Sequence, residues 1–110
     1  MAGLIFLLSL MILYNVTSSV DPEIAEEWME YVRDVHMPEV MATGFFVKHQ
    51  LCRLLNEEND GYTYAAQFYA IGLEQLETYQ EAFAPGLNAT LETRFPGQFI
   101  SFRTVLEIID

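Results

Sequence analysis

The chain has few of the residues that build covalent or metal sites. Cys52 is the single cysteine among 110 residues, which excludes an intrachain disulfide and a cysteine-based zinc site. It lies in the apolar run 51–55 and is expected to be a small buried hydrophobe. The two histidines, His36 and His49, lack the paired spacing of metal ligands, so no metal site is predicted.

Basic residues are also scarce. Five Lys and Arg stand against 16 Asp and Glu, and the net charge is −11. A chain this acidic repels phosphate backbones, so nucleic-acid binding is not expected. The sequence has no glycine-rich phosphate loop and no G-x-S-x-G nucleophile motif. We therefore predict no cofactor, and we favour a binding protein over an enzyme.

The N-terminal residues 1–14 carry no charge. They lack the basic start of a signal peptide and are shorter than the roughly 18 apolar residues of a spanning helix. From Met11 onward the sequence fits a strand better. Residues 1–10 are thus either an extension upstream of a start at Met11, which we favour, or a weak targeting segment. Residues 11–110 are predicted to form a single domain of a cytoplasmic protein, with no membrane contact unless residues 1–10 are a real targeting segment.

Hydrophobic residues make up 52% of the sequence, which indicates a folded globule. The pattern predicts a strand from Met11, a helix starting at Asp21, strands over 45–55 and 62–70, a helix over 73–93 split near Pro85, and a strand over 99–109. Asp60-Gly61 is predicted as the hairpin turn. This order is the ferredoxin-like βαββαβ arrangement, an α+β fold whose four-stranded antiparallel sheet has both helices on one face.

Helical spacing predicts the buried stripes. They are Ile24, Trp28, Tyr31 and Val35 in the first helix and Leu73, Leu76, Phe83, Leu87 and Leu91 in the second.

Strand residues alternate between the two faces of a sheet, and the more apolar set of each strand is expected to face the helices. In the last strand that set is Ile100, Phe102, Thr104, Leu106 and Ile108. The opposite, bare face then carries Leu13, Asn15, Thr17, His49, Leu51, Arg53, Thr63, Ala65, Gln67, Tyr69, Ser101, Arg103 and Glu107. A second copy of the chain is a natural cover for that face.

Five stretches of the sequence are MILYNVT, HMPEVMATG, CRLL, TYAAQFY and RFPGQFISFRTVLEIID. They resemble a family of small bacterial proteins known only as a domain of unknown function, over Met11 to Asp110. That family is similar to the dimeric α+β-barrel superfamily, in which two ferredoxin-like sheets pack face to face. The superfamily includes cofactor-independent monooxygenases, small-ring isomerases, haem-degrading enzymes and proteins without known activity. The resemblance implies the fold and a homodimer, and it implies no single activity.

Polar side chains on the bare face are the predicted ligand-binding residues. They are Asn15, His49, Arg53, Gln67, Tyr69, Arg103 and Glu107. The arginines could hold a carboxylate, and His49 could act as a general base. The alternative, which we favour, is that the arginines pair with Glu107 across a dimer interface. His36 ends the first helix, where it either stabilises the helix dipole or approaches a pocket. It is a second weak catalytic candidate.

Three functions remain open from the sequence. The first is a homodimer that binds a small, anionic organic ligand between its two sheets. The second is a cofactor-independent enzyme of monooxygenase or isomerase type. The third is a purely structural dimer or interaction module.

Overall fold

The computed structural model describes residues 11–55 and 62–110. Within them the elements are β1 (Ile12–Val20), α1 (Ala25–Tyr31), α2 (Met37–Ala42), β2 (Lys48–Arg53), β3 (Thr63–Ala70), α3 (Leu73–Ala82), α4 (Ala84–Arg94) and β4 (Phe99–Glu107). The strands form one antiparallel sheet in the order β2-β3-β1-β4. This confirms the predicted ferredoxin-like α+β fold. The predicted N-terminal extension and the Asp60-Gly61 turn lie outside the described residues.

The first helical segment contains a wide turn. It begins as predicted, with the Asp21 carboxylate accepting a hydrogen bond from the Glu23 N–H at 3.2 Å. Between α1 and α2, residues Val32–His36 form a π-helical turn. Pro38 lies just beyond it, in the first turn of α2, and has no N–H to donate. The additional residue in the turn rotates the later part of the segment relative to α1, so the predicted stripe is correct for Trp28 and wrong for Val35, which is exposed.

The second helical segment divides at Phe83, which separates α3 from α4, and Pro85 lies in the first turn of α4. The predicted break near Pro85 is therefore confirmed. Of the predicted stripe, Leu76 and Leu91 are buried, whereas Leu73 and Phe83 are exposed. None of the helices in the described part of the chain is long and apolar enough to cross a membrane.

Aromatic rings fill the space between the sheet and the helices. The ring centroids of Phe46 and Tyr79 are 4.8 Å apart, and those of Phe46 and Phe68 are 5.2 Å apart. Tyr14 packs against all three rings at 6.2–6.3 Å. Burial of such large apolar surfaces is the main favourable contribution to folding.

The register between β1 and β4 shows that the predicted faces of β4 are wrong. Residues directly opposite in antiparallel strands share a face. Ser101 lies opposite the buried Ser18, and their hydroxyls are 2.6 Å apart. Phe99 packs against Trp28, with ring centroids 5.6 Å apart. The set that includes Phe99, Ser101, Arg103 and Glu107 therefore faces the helical side, and the apolar set Ile100, Phe102, Thr104 and Leu106 lies on the open face.

The register between β2 and β3 shows that the predicted faces of β2 are also wrong. His49 lies opposite Phe68 and Arg53 opposite Tyr64, and both partners are buried under the helices. Leu51 lies on the same side of β2 as these two residues. Cys52 lies on the opposite side, where it is exposed on the open face and not buried as expected. A strand with polar residues on both faces carries little information about its orientation, so pairing with β3 decides it.

The predicted faces of β1 and β3 are confirmed. Asn15 and Gln67 lie opposite each other on the open face, and the Gln67 amide donates to the Asn15 oxygen at 3.1 Å. Gln50 of β2 extends this line by donating to the Gln67 oxygen at 2.7 Å. Tyr69 lies on the same face under the Lys48 ammonium, which is 5.2 Å from the ring centroid.

Two leucines of α3 test how much of the predicted stripe supports the fold. Leu76 is 2% exposed and Leu73 is 53% exposed. We expect Leu76→Ala to lower the free energy of unfolding by about 2–5 kcal/mol, because it leaves a cavity in the core. The control Leu73→Ala should change it by less than about 1 kcal/mol. Urea unfolding measures both, and equal losses would contradict the assigned burial.

Candidate functional site: a cavity between the helices and the sheet

A cavity of about 440 Å³ lies between the helices and the helix-facing side of the sheet. We call it the helix–sheet cavity. Its walls are mixed, with apolar side chains such as Val16, Val32 and Phe68. The polar or partly polar side chains that line it are Tyr14, Ser18, Trp28, His36, Tyr79, Asn88, Glu92, Ser101 and Arg103. Small-molecule sites combine apolar walls with polar groups that orient the ligand, and this cavity has both.

The long walls of the cavity are formed by a row of side chains on β4 and a row on the first helical segment. On β4, Phe99, Ser101 and Arg103 alternate toward it, each step covering about 6.6 Å. Across from them, Trp28 and His36 are eight residues apart on the first helical segment, which is roughly 12 Å along an ideal helix. Both rows therefore extend over a similar distance.

The two rows define two ends of the cavity. Trp28 packs against Phe99, with ring centroids 5.6 Å apart. His36 is close enough to Arg103 for the arginine charge to act on its protonation. We call these the Trp28 end and the Arg103 end.

Arg103 supplies the positive charge of its end. Its Nε–H donates to the Tyr14 hydroxyl at 2.9 Å. It forms no ion pair with any side chain in residues 11–55 and 62–110. Glu107 lies about 13 Å further along β4, too far to pair with Arg103 within the chain. The predicted pairing of the arginines with Glu107 crosses a dimer interface of the open face, but Arg53, Arg103 and Glu107 all lie on the helical side instead. The remaining guanidinium N–H groups are available to an anion, for which arginine has a suitable fork of donors.

Two neutral side chains accompany that charge. Burial and the positive charge of Arg103 lower the pKa of His36 from 6.5 to about 4. Burial and the nearby Tyr14 raise the pKa of Tyr79 to about 12, although Arg103 acts in the opposite direction. At neutral pH the Arg103 end therefore presents one cation, a neutral imidazole and a neutral phenol. A neutral imidazole has one nitrogen that can accept a proton.

Of the predicted site residues, the structure brings together only His36 and Arg103 in this cavity. Asn15, Gln67 and Tyr69 lie on the other side of the sheet. They cannot share a cavity with Arg103.

The remaining three predicted residues share the helical side but lie apart from the cavity. His49 stacks on Phe68 with ring centroids 6.5 Å apart, and the Arg53 guanidinium is 5.5 Å from the Tyr64 ring centroid. Both belong to the exposed strand β2 at one edge of the sheet. Glu107 is exposed at the end of β4. Strand pairing thus divides the predicted ligand-binding set among four places: the open face, the β2 edge, the end of β4 and the cavity.

Sequence reasoning missed Tyr14, Trp28 and Tyr79 as site residues because aromatic residues at buried spacing are usually core. One signal was available for the tyrosines. A buried tyrosine needs a partner for its hydroxyl, and Tyr14 lies on the buried parity of β1. Its partner, Arg103, comes from a strand that is distant in sequence.

No group of three or more His, Cys, Asp or Glu side chains within residues 11–55 and 62–110 is arranged to hold a metal ion. Among the polar groups of the helix–sheet cavity, Arg103 and Trp28 are donors only, the hydroxyls, His36 and Asn88 can both donate and accept, and the one carboxylate is that of Glu92. This donor set suits an organic anion better than a cation.

The low pKa of His36 predicts a pH dependence of stability. The folded protein keeps His36 neutral down to about pH 4, whereas the unfolded chain takes up the proton near pH 6.5. The contribution of His36 to stability is therefore fully present above about pH 6.5 and is lost as the pH falls toward 4. Between pH 7.5 and pH 4.5 we expect the wild type to lose about 2–3 kcal/mol more than His36→Gln in urea unfolding. If the wild type and His36→Gln lost the same free energy of unfolding on acidification, the lowered pKa of His36 would be contradicted.

Comparison with solved structures supports the fold. A dimeric ferredoxin-like protein from an uncultured marine organism is similar with a TM-score of 0.70 and 13% identity, over 91% of this chain and 95% of the other. A mutant of SnoaB, a cofactor-independent oxygenase from Streptomyces nogalater, has a TM-score of 0.66 and 16% identity, over 88% and 91%. An ethyl tert-butyl ether d (EthD) family protein from Bacillus halodurans has a TM-score of 0.63 and 11% identity, over 84% and 96%.

Comparison of sequences adds the family. No curated protein matches the sequence. Residues 11–109 match the family described as Domain of unknown function (DUF4286). This match covers all the strands and helices of the described chain, including the cavity-lining residues from Tyr14 to Arg103. The chain therefore belongs to the DUF4286 family, and its fold is that of the ferredoxin-like proteins it resembles.

Proposed function

We propose that the protein is a homodimer that binds a small organic anion in the helix–sheet cavity. The observation that carries this proposal is Arg103, a cation without an ion-pair partner in the described residues that lines a cavity of about 440 Å³. The volume lies within the roughly 300–1,000 Å³ of small-molecule sites. In a chain of net charge −11, a cation at a cavity gives an anion a local attraction.

This proposal moves the ligand from the place predicted by sequence. The predicted site lay between two sheets, whereas Arg103 and His36 lie on the helical side of one sheet. The open face keeps a different role, as the surface between two copies of the chain.

Replacement of Arg103 tests the binding site. We expect Arg103→Gln to weaken the binding of an aromatic carboxylate probe, 2-naphthoate, by about 10–100-fold, because a charge-assisted hydrogen bond is lost. Isothermal titration calorimetry measures the affinity. The matched control is Arg53→Gln, which also removes one positive charge but lies outside the cavity. We expect it to leave binding unchanged.

Two results of that experiment would count against the proposal. A loss of equal size in Arg53→Gln would show that the probe responds to net charge alone. Absence of binding for carboxylate probes of different sizes would favour the purely structural dimer instead.

The composition of the open face supports the homodimer. Its β4 side chains Ile100 and Phe102 are 76% and 60% exposed. In the described strands, this face has a lysine, Lys48, and no carboxylate, although the chain has 16 acidic residues. Two copies can therefore pack these faces together without repulsion between like charges. An exposed apolar surface of this kind is typical of interfaces, and a two-fold symmetric dimer covers it on both copies.

A charge placed on the open face tests the dimer. We expect the wild type to be a dimer at micromolar concentration and Phe102→Glu to be a monomer, because the dimer would bury two unpaired carboxylates. Light scattering after size exclusion measures the mass. The control Leu73→Glu adds the same charge at an exposed leucine of α3 and should remain a dimer. A monomeric wild type would contradict the proposal directly.

A cofactor-independent enzyme is the second candidate, and His36 is the observation that favours it. The lowered pKa of His36 makes its imidazole a weak base, so it could take only a proton whose acidity Arg103 increases by holding the resulting anion. An oxygenase or isomerase reaction can begin with that step. Dioxygen uptake with an anthrone as probe, present in the wild type and lost in His36→Gln, would favour this candidate over binding alone.

A further inference from the structure

We infer that Trp28 helps to select the ligand of the helix–sheet cavity. The ligand is an elongated molecule with an ionised acid at the Arg103 end and a neutral hydrogen-bond acceptor, such as a carbonyl oxygen, at the Trp28 end. This inference rests on the proposed function, because it concerns the ligand of the same cavity. It adds a second recognition element and a ligand class.

The first observation is an unused donor. Trp28 is 2% exposed and lines the cavity. Its indole N–H is buried and has no hydrogen-bond partner among the described residues. Buried donors are almost always paired in folded proteins, because a buried polar group without a partner destabilises the fold. In this conformation the nitrogen is closed to solvent, so the indole ring must shift slightly before a ligand acceptor in the cavity can reach it and remove this cost.

The second observation concerns which part of Trp28 the core requires. The ring packs against Tyr64 and Phe99, with centroid distances of 5.5 and 5.6 Å. A phenylalanine would provide apolar packing against both neighbours without a buried donor. The described ring contacts therefore do not require the indole N–H.

The third observation separates the two ends. Trp28 contacts Phe99, whereas Arg103 lies four residues further along β4, which is about 13 Å. Because the two side chains start from positions this far apart, an elongated ligand can span the two ends more readily than a compact one. The aromatic and aliphatic walls between the ends favour a flat, apolar middle.

Charge decides which group goes to which end. Arg103 attracts an anion. Near the other end, Glu92 lines the cavity, and its Oε1 accepts a hydrogen bond from the Gly97 N–H at 3.0 Å. Gly97 is two residues from Phe99, so a carboxylate lies near the Trp28 end. A second acid group would be repelled there, whereas a neutral carbonyl is not.

The sequence provides a direct probe, because Trp28 is the only tryptophan. A ¹⁵N-labelled sample gives one indole N–H cross-peak, whose proton shift reports the hydrogen bond of that group. Matched probes are aromatic carboxylates with an acetyl or an ethyl group at the far end, in the benzene, naphthalene and biphenyl series. The ethyl compound has a similar shape and no acceptor.

We expect the acetyl compound of the best-fitting series to bind about tenfold more tightly than its ethyl partner, and to move the indole proton downfield. In Trp28→Phe, the two compounds should bind equally. In Arg103→Gln, both compounds should bind more weakly, and the ratio of their affinities should stay the same. Calorimetry measures the affinities. The indole measurement uses the wild type and so does not depend on the folding of Trp28→Phe.

The outcomes separate the inference from the proposed function. If both compounds bind equally to the wild type and the indole proton does not move downfield, the inference is wrong and anion binding stands. If no carboxylate of any series binds, both are wrong.

Discussion

The pairing of β1 with β4 is the interaction on which the site depends. Because Val16 lies opposite Arg103 and Ser18 opposite Ser101, alternate residues of β4 turn toward the helices. This register brings Arg103 to the Tyr14 hydroxyl and Phe99 to Trp28. A shift of one residue would place Phe102 under the helices and Arg103 on the open face. The same register thus determines both the cavity and the surface on the other side.

The Arg103 end also depends on the helices. Trp28 and His36 line the same cavity because the first helical segment passes along it, with the π-helical turn Val32–His36 ending at His36. Single wide turns of this type are often found at functional sites. Burial and the charge of Arg103 then keep the imidazole neutral. Arg103 therefore has two effects: its charge attracts an anion, and the same charge helps to lower the pKa of His36.

The two faces of the sheet have opposite chemistry, which gives them separate roles in the proposal. The helical side combines a charge with aromatic walls around a cavity. The open side carries a hydrogen-bonded line of Gln50, Gln67 and Asn15 beside the exposed apolar residues of β4. Side chains already bonded to each other along the sheet have fewer free donors for a ligand, whereas the apolar residues beside them favour contact with another protein surface.

The sequence by itself determined the order of the elements, the helix start at Asp21, the break near Pro85, and the faces of β1 and β3. These come from local signals: capping, the missing N–H of proline, and a moderate alternation of apolar residues in β1 and β3. It also singled out Arg103 and His36. Only the tertiary structure decided that these two meet, and that His49, Arg53 and Gln67 do not join them. In β4 the apolar alternation is clear, but its more apolar set lies on the open face and not under the helices. In β2 both faces carry polar groups, so its pattern does not identify the helical side. Hydrogen bonding to β3 and β1 settles both orientations, since opposite residues of paired strands must share a face.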